Sequence, residues 1–342
     1  MLRRVPASAA IVLAAALVAS LAGCSTSSSD ASADDAPPTR TITDVAGRQE
    51  IPTNPKRIIA VDENAALNLL SIGITPTVAF DSWNTTVPAN VIKAAGVQVE
   101  HVGGSTAFPS LEKVAAEKPD LIVATQSEGQ GIKLPKYGQV APTVHALYTA
   151  SWQDVVSAYG EYFDRKAQAD KVMDALEQDT ADIKASQPSP PMSVSVLMSY
   201  AQQNLILSMD SSNTISTLIA DAGFTRPESA AAKVDASQSY GGWSQLSPEN
   251  LAEHDADVVA ITSGTNYDPK TITDLAVFPT LAASKAGKTP TVDGDFWSGG
   301  YGFSTYWVLQ DLKGFLAGDD TAGDASDARA RWKAFEKEIG QS

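Results

Sequence analysis

One cysteine, Cys24, and three histidines are all that 342 residues contain of the two commonest soft metal ligands. Without a second cysteine there is no intrachain disulfide, so the fold must rest on its core. His101, His145 and His254 fall in separate segments, without the spacing that brings ligands to one metal ion. His145 within a strand and His254 on a helix read as structural. Positive charge is also scarce: 25 basic against 40 acidic residues, a net charge of −15. That balance excludes a nucleic-acid partner on electrostatic grounds. It also argues against adhesion of the folded part to anionic lipid, and it favours neutral or cationic small ligands. No Gly-x-Ser-x-Gly elbow, phosphate loop or His-Glu-x-x-His is present, so no enzyme is expected. The apolar run from about Ala7 to Leu21 is too short and too rich in alanine for a permanent membrane span.

What is there begins with Arg3 and Arg4, the apolar run, and small residues at its end, the layout of a secretory signal. Leu21-Ala22-Gly23-Cys24 looks like a lipobox, the cleavage and lipidation site of bacterial lipoproteins. Residues 1–23 would then be removed, and the mature chain would carry 23 basic against 40 acidic residues, a net −17. Cys24 would carry acyl chains, each buried methylene adding roughly 0.8 kcal/mol of membrane affinity. The alternative is an ordinary signal with an incidental cysteine. Residues 25–39 are almost all Ser, Thr, Asp, Ala and Pro, with no large apolar group. Such a segment cannot offset its ordering entropy, so 24–40 is read as a disordered tether of about 20 Å typical reach.

Beyond it, short β-branched runs alternate with helical stretches. Strands are expected at Arg57–Val61, Thr75–Phe80, Asp120–Ala124 and Thr143–Leu147, with helices such as Ala65–Ile72 and Leu111–Glu117 between them. That alternation implies a mostly parallel sheet covered on both faces. From Ser151 to Gln187 apolar residues at Val155, Val156, Tyr159, Tyr162, Phe163, Val172, Met173, Leu176 and Ile183 step by three and four, the period of one helical face. Ser151 and Asp154 resemble a capping box, and Pro188, Pro190 and Pro191 end the run. One helix of this length spans roughly 50 Å. Strands resume at Ser193–Tyr200, Asn204–Ser208, Asp257–Thr262 and Thr289–Val292. The fold class is therefore α/β: an N-terminal lobe over 41–150, a long rigid connecting helix over 151–187, and a C-terminal lobe over 188–342.

An internal repeat ties the lobes together. Ser110 to Thr125 and Ser247 to Thr262 align without a gap: Ser110 with Ser247, Glu112 with Glu249, Ala115 with Ala252, Asp120 with Asp257, Thr125 with Thr262. Each reads as an N-cap serine, a short helix, a turn with Asp and a buried strand. Two lobes built on the same unit leave a cleft at the carboxyl ends of their strands, where open α/β sheets bind ligands.

The lipobox, the two lobes, the connecting helix and the doubled Ser-x-Glu…Asp-(apolar) unit together resemble the substrate-binding lipoproteins of bacterial ABC importers, of the class that binds ferric siderophores, haem or cobalamin. Thr43–Arg48, Pro55–Ala60, Leu69–Gly73 and Val140–Thr143 are similar to the siderophore-binding members, and the likeness runs over about residues 41–317. It implies a monomer anchored by lipid on the extracytoplasmic face of the cell membrane, without cofactor or catalysis, that captures a ferric siderophore and delivers it to the permease. It also implies that Glu112 and Glu249 dock on arginines of the transmembrane subunits. Taken alone, an acid in the first turn of a helix needs no partner, because the helix dipole already favours it there.

Aromatic residues in loops after strands are the candidate ligand walls: Trp83, Tyr200, Trp243, Tyr267, Trp297 and Tyr301. Trp297-Ser-Gly-Gly-Tyr301 sets two rings on a glycine-rich loop, whereas Tyr306 and Trp307, on a helical stretch, read as core. Where ferrichrome-binding relatives carry an arginine and a tyrosine, this chain aligns Thr106 and Glu128. Catecholate binders use clustered arginines, and here Arg226 is the nearest candidate. A neutral or cationic hydroxamate complex is therefore favoured. The alternatives are haem or cobalamin, with Tyr200 or Met198 available as an axial ligand for haem, and a lipid-anchored cell-wall enzyme.

Overall fold

The computed structural model describes residues 38–103, 108–126, 134–147, 151–201, 203, 205–232, 239, 241–299 and 301–341. Cys24, Thr106 and Glu128 lie outside the described residues. The first described element is a hairpin, β1 (Thr39–Asp44) paired antiparallel with β2 (Gly47–Pro52) across the two-residue turn Val45-Ala46. It starts inside the stretch read as tether, which therefore ends sooner than residue 40. Asp44 binds the hairpin to the first lobe, because its carboxylate accepts from the backbone N–H of His145 at 2.8 Å and from that of Ala46 at 2.8 Å.

The first lobe runs β3 (Ile58–Ala60), α1 (Glu63–Ser71), β4 (Val78–Phe80), α2 (Thr86–Ala94), β5 (Gln98–Glu100), α3 (Leu111–Ala116), β6 (Leu121–Gln126) and β7 (Thr143–Leu147). Its five strands lie in the order β5-β4-β3-β6-β7, and every pair is parallel. Strand, helix, strand alternation in sequence has become a right-sized βαβ sheet, as parallel pairing with crossovers requires.

The stretch 151–187, expected as one helix, is two: α4 (Trp152–Tyr162) and α5 (Lys166–Ala185). Ser151 caps α4 by accepting from the Asp154 N–H at 3.1 Å. Between the helices Asp164 takes the left-handed conformation, φ 53°, and the Arg165 N–H donates back to the Gly160 carbonyl at 2.7 Å. The apolar period of three and four carries on through the break, so periodicity alone does not reveal it. The two helices then pack on each other. A Cβ at Gly160 would stand 2.6 Å from that of Ala169, so only glycine lets them approach this closely. The 20 residues of α5 span about 30 Å, and α5 also packs on α6 and α11 of the second half.

The second lobe runs β8 (Val194–Tyr200), β9 (Leu205–Met209), α6 (Thr214–Asp221), α7 (Glu228–Ala231), β10 (Trp243–Gln245), a 3₁₀ helix over Pro248–His254, β11 (Val258–Ser263), α8 (Lys270–Thr273), α9 (Ala282–Lys285), β12 (Thr291–Asp293), α10 (Gly294–Trp297), α11 (Gly302–Ala317) and α12 (Ala328–Glu338). The order is β10-β9-β8-β11-β12. β8, β11 and β12 are parallel, and β9 runs against both neighbours.

The repeat has a structural job that its alignment did not disclose. Asp120 accepts from the backbone N–H groups of Lys56 and Arg57, at 2.6 and 2.9 Å, on the segment entering β3. Asp257 accepts from the N–H and hydroxyl of Ser193, both at 2.8 Å, on the segment entering β8. Each Asp thus clamps the first strand of its sheet to the strand that crosses beside it.

Residues alternate across both sheets. Ile58 and Ala60, with Val196, Val258 and Ala260, face one continuous core that also takes in α1, α4, α5, α6, α11 and α12. Ile59 and Val61 face a separate cluster with Val114, Ile122 and Tyr137, and Leu197, Val259 and Ile261 face another with Leu251 and Phe278. The C-terminal segment does not stay with the second lobe as its boundary suggested. α11 packs on α1, α12 packs on α2, and Gln341 Nε2 donates to the Ser71 carbonyl at 2.7 Å.

Candidate functional site

All strands of the first sheet are parallel, so their carboxyl ends fall on one edge. The loops after β3, β4 and β5 gather there, as do those after β8 and β11 and the turn into α10 on the other lobe. The two sets touch. Thr86 and Thr265 hydroxyls lie 2.7 Å apart, and Asn266 Nδ2 donates to the Trp83 carbonyl at 3.3 Å.

Three of the six candidate aromatics come to this edge. Trp83 is half-buried and meets Phe108 edge-on at 5.8 Å. Tyr200 and Tyr267 pack at 5.6 Å, and the Tyr267 hydroxyl lies 3.4 Å from that of Ser298. Burial pushes the Tyr200 phenol up from its ordinary value. The other three are core residues in this structure. Trp243 on β10 is 4 % exposed and pairs with Met209, and Trp297 is 0 % exposed. The Trp297 indole donates to Asp311 at 2.8 Å and the ring lies along Phe315. Tyr301 is 3 % exposed and caps α11. Its own ring fills the space a Gly299 side chain would occupy, with Cδ1 at 3.1 Å, so that glycine makes room for a tyrosine rather than for a ligand. Tyr306 and Trp307 lie in the core, as a helical stretch suggests.

Carboxylates at the same edge were not singled out by the sequence. Glu63, the first residue of α1, accepts from the N–H of Trp83 at 3.1 Å and from the N–H and hydroxyl of Thr85 at 3.1 and 2.9 Å. Burial nevertheless pushes its pKa up to about 7, against those hydrogen bonds. Asp295 on α10 is raised well above the ordinary range, first by burial and then by the charges of Asp293 and Glu63. Asp62, the N-cap of α1, is also raised by burial. It accepts from Ala65 and from the N–H of Thr125 on β6 and so ties the helix to the sheet. The available signal was position: Val61-Asp62-Glu63 and Asp293-Gly-Asp295 each follow a buried strand directly.

Of the cations, Lys113 Nζ reaches the His101 carbonyl beyond β5 at 3.4 Å, whereas Arg226, Arg57 and Arg331 lie elsewhere. Arg226 hydrogen-bonds Ser216 and donates to the Met209 carbonyl at 2.6 Å, at the end of β9. Because β9 runs antiparallel, that end lies at the amino edge of β8, away from the cleft. Arg57 pairs with Glu117 at 2.7 Å before β3, and Arg331 pairs with Asp311 at 2.6 Å beneath Trp307. His254 is buried against Ser208, and burial with the Arg226 charge lowers its pKa to about 4. His145 lies against Asp44 and His101 against Asp81. Among the described residues no three acidic, histidine or cysteine side chains gather to hold a metal ion. None of the described helices is long and apolar enough to cross a membrane.

Glu112 and Glu249 are both exposed, each two residues after its serine. Ser110 caps α3 by accepting from Lys113, whereas Ser247 makes no such bond and Pro248 opens a 3₁₀ helix instead. Hydrogen bonds from its own backbone N–H and the Ser110 hydroxyl hold the Glu112 carboxyl below its ordinary range. Both helices lead back from the carboxyl edge to the neighbouring strand, β6 or β11, so the two glutamates occupy equivalent rims.

Two α/β sheets with a shared helical core and carboxyl-edge loops that meet give a bilobal α/β fold. The chain belongs to the periplasmic binding protein family, whose description it matches over residues 58–292. It is 27 % identical over 318 residues to the probable siderophore-binding lipoprotein YfiY of Bacillus subtilis (strain 168), covering 90 % of this chain and 96 % of that one. Its fold is similar to the crystal structure of the petrobactin-binding protein YclQ from Bacillus subtilis (TM-score 0.66, 19 % identity, 82 % of this chain and 99 % of that chain). It is also similar to FhuD2 from Staphylococcus aureus with bound ferrioxamine B (TM-score 0.60, 21 % identity, 78 % and 100 %).

Proposed function

We propose that this protein is a lipid-anchored receptor on the extracytoplasmic face of the membrane. It takes a ferric siderophore of the hydroxamate type into the inter-lobe cleft and delivers it to an ABC importer. The observation that carries the hydroxamate assignment is the charge of the cleft edge: Glu63 and Asp295 lie there, and the nearest sequence candidate for an anion-binding arginine, Arg226, is held at the opposite edge. A trianionic catecholate complex would make ionisation of these buried acids still costlier, whereas a neutral or cationic hydroxamate with apolar flanks suits the rings of Trp83, Tyr200 and Tyr267. The lipoprotein relative and the lipobox at Cys24 support the anchor. Exposed Glu112 and Glu249 on equivalent rims suit a basic pair of permease subunits, where rim charge steers encounter and register. The protein acts as a monomer, without cofactor or catalysis.

Quenching of tryptophan fluorescence on titration of the purified protein with ferrioxamine B and with ferric enterobactin tests the ligand class. Ferrioxamine B is expected to bind more tightly, and tighter binding of the catecholate overturns the hydroxamate reading.

A further inference from the structure

Asp295 presents a problem that the hydroxamate reading leaves unsolved. Its residue is 8 % exposed, yet its Oδ2 has no hydrogen-bond partner among the described residues. A buried carboxylate oxygen normally finds a donor, since desolvating it without one is costly. The oxygen points at the loop following β11. A Cβ at Gly264, where φ is +147°, would stand 3.7 Å from Oδ2 and 3.4 Å from the Tyr267 ring, so this turn covers the oxygen without offering it a donor. From the opposite lobe the Glu63 carboxylate acts on Asp295 as a like charge, and on its own lobe Asp293 does the same. Asp293 is capping the Phe296 N–H, and Glu63 holds three donors of its own, so neither relieves Asp295.

We propose that Asp295, beside the Gly264 turn and the Tyr200–Tyr267 pair and with Glu63 adding negative charge from the other lobe, forms a subsite for a primary ammonium group carried by the ligand. The chemistry selects an ammonium over other cations. Asp293, the third acid nearby, is committed to the Phe296 N–H, and among the described residues no three acidic, histidine or cysteine side chains gather to hold a divalent metal. A guanidinium would want both oxygens of one carboxylate in a plane, whereas Asp295 offers one free oxygen and Glu63 is already held. A compact –NH₃⁺ donates in three directions and can reach the single unpartnered oxygen, Asp295 Oδ2, while the Tyr200–Tyr267 pair beside the loop supplies ring faces that attract it. A bound cation removes the like-charge repulsion between the lobes, so the ligand's amine draws the two rims together. This inference rests on the siderophore reading and names the arm of the ligand that reads the cleft.

The test compares ferrioxamine B, which carries a free terminal amine, with its N-acetylated form, which does not. The parent protein is expected to bind the amine form about tenfold more tightly, the effect of one charge-assisted hydrogen bond. In Asp295→Asn and Glu63→Gln the ratio should fall toward one, with circular dichroism confirming the fold of each variant. Equal affinities in the parent, or a ratio that survives both substitutions, overturns the subsite. If neither ferric complex binds, the hydroxamate reading fails and the subsite is judged separately by thermal melting with n-pentylammonium against n-pentanol. Protection by the amine alone, lost in both variants, keeps the subsite; equal behaviour of the two probes overturns it.

Discussion

Individual side chains decide where charge is tolerated in this molecule. Glu63 is buried with a pKa of about 7, above the roughly 4.3 of an exposed glutamate. An acid raised in this way stabilises the fold below its unfolded pKa, and that stability is lost as pH rises through the folded value. Between about pH 4.5 and 7.5 the parent protein should therefore lose on the order of 3 kcal/mol through this group, and Glu63→Gln should lose correspondingly less. Urea unfolding of both at pH 5 and pH 8 measures the difference; equal losses would refute the assignment. Little of this was legible in the sequence. An acidic residue after a strand looks the same whether it faces water or a packed interior, and it is burial that raises the pKa of Glu63. The aromatics show the converse. Trp83, Tyr200 and Tyr267 reach the carboxyl edge, while Trp297 and Tyr301, which follow β12, and Trp243, which opens β10, turn into the core because a ring's direction follows from its rotamer and neighbours.

At the scale of elements, the strands were the most legible feature. Short β-branched runs predict β7 at Thr143–Leu147 without shift, and β3, β6, β8 and β11 within a few residues. The α4–α5 break was not legible, because the signal is a single left-handed Asp164 inside an unbroken apolar period. Its consequence is measurable. Gly160→Ala would force a methyl to within 2.6 Å of the Ala169 Cβ, and overpacking of this kind costs about 1–3 kcal/mol. A drop in the urea midpoint with an unchanged slope is expected, and an unaltered midpoint would mean that the helices do not pack this closely in solution. The repeat was legible as a sequence match, and the clamps of Asp120 and Asp257 explain why an Asp recurs before each buried strand.

For the whole molecule, the governing fact is that the inner faces of both sheets share one core with the same helices. Opening the cleft widely would expose that core, so ligand binding should proceed by small rocking rather than by a wide hinge. The proposed docking surface belongs to this scale as well. Glu112→Ala with Glu249→Ala should abolish stimulation of permease ATPase in reconstituted vesicles, while ferrioxamine B is still bound by the free protein; full stimulation by the double variant would rule out these glutamates. The return of the C-terminal end to the first lobe has a consequence in time. Gln341 reaches Ser71, and α12 covers α2, so a chain emerging from its amino end cannot complete its first lobe until its last residues have arrived. Contacts of such long sequence separation form late. A polypeptide threaded through a narrow export channel must stay uncompacted until its tail is through, and here the connectivity of the fold itself enforces the delay.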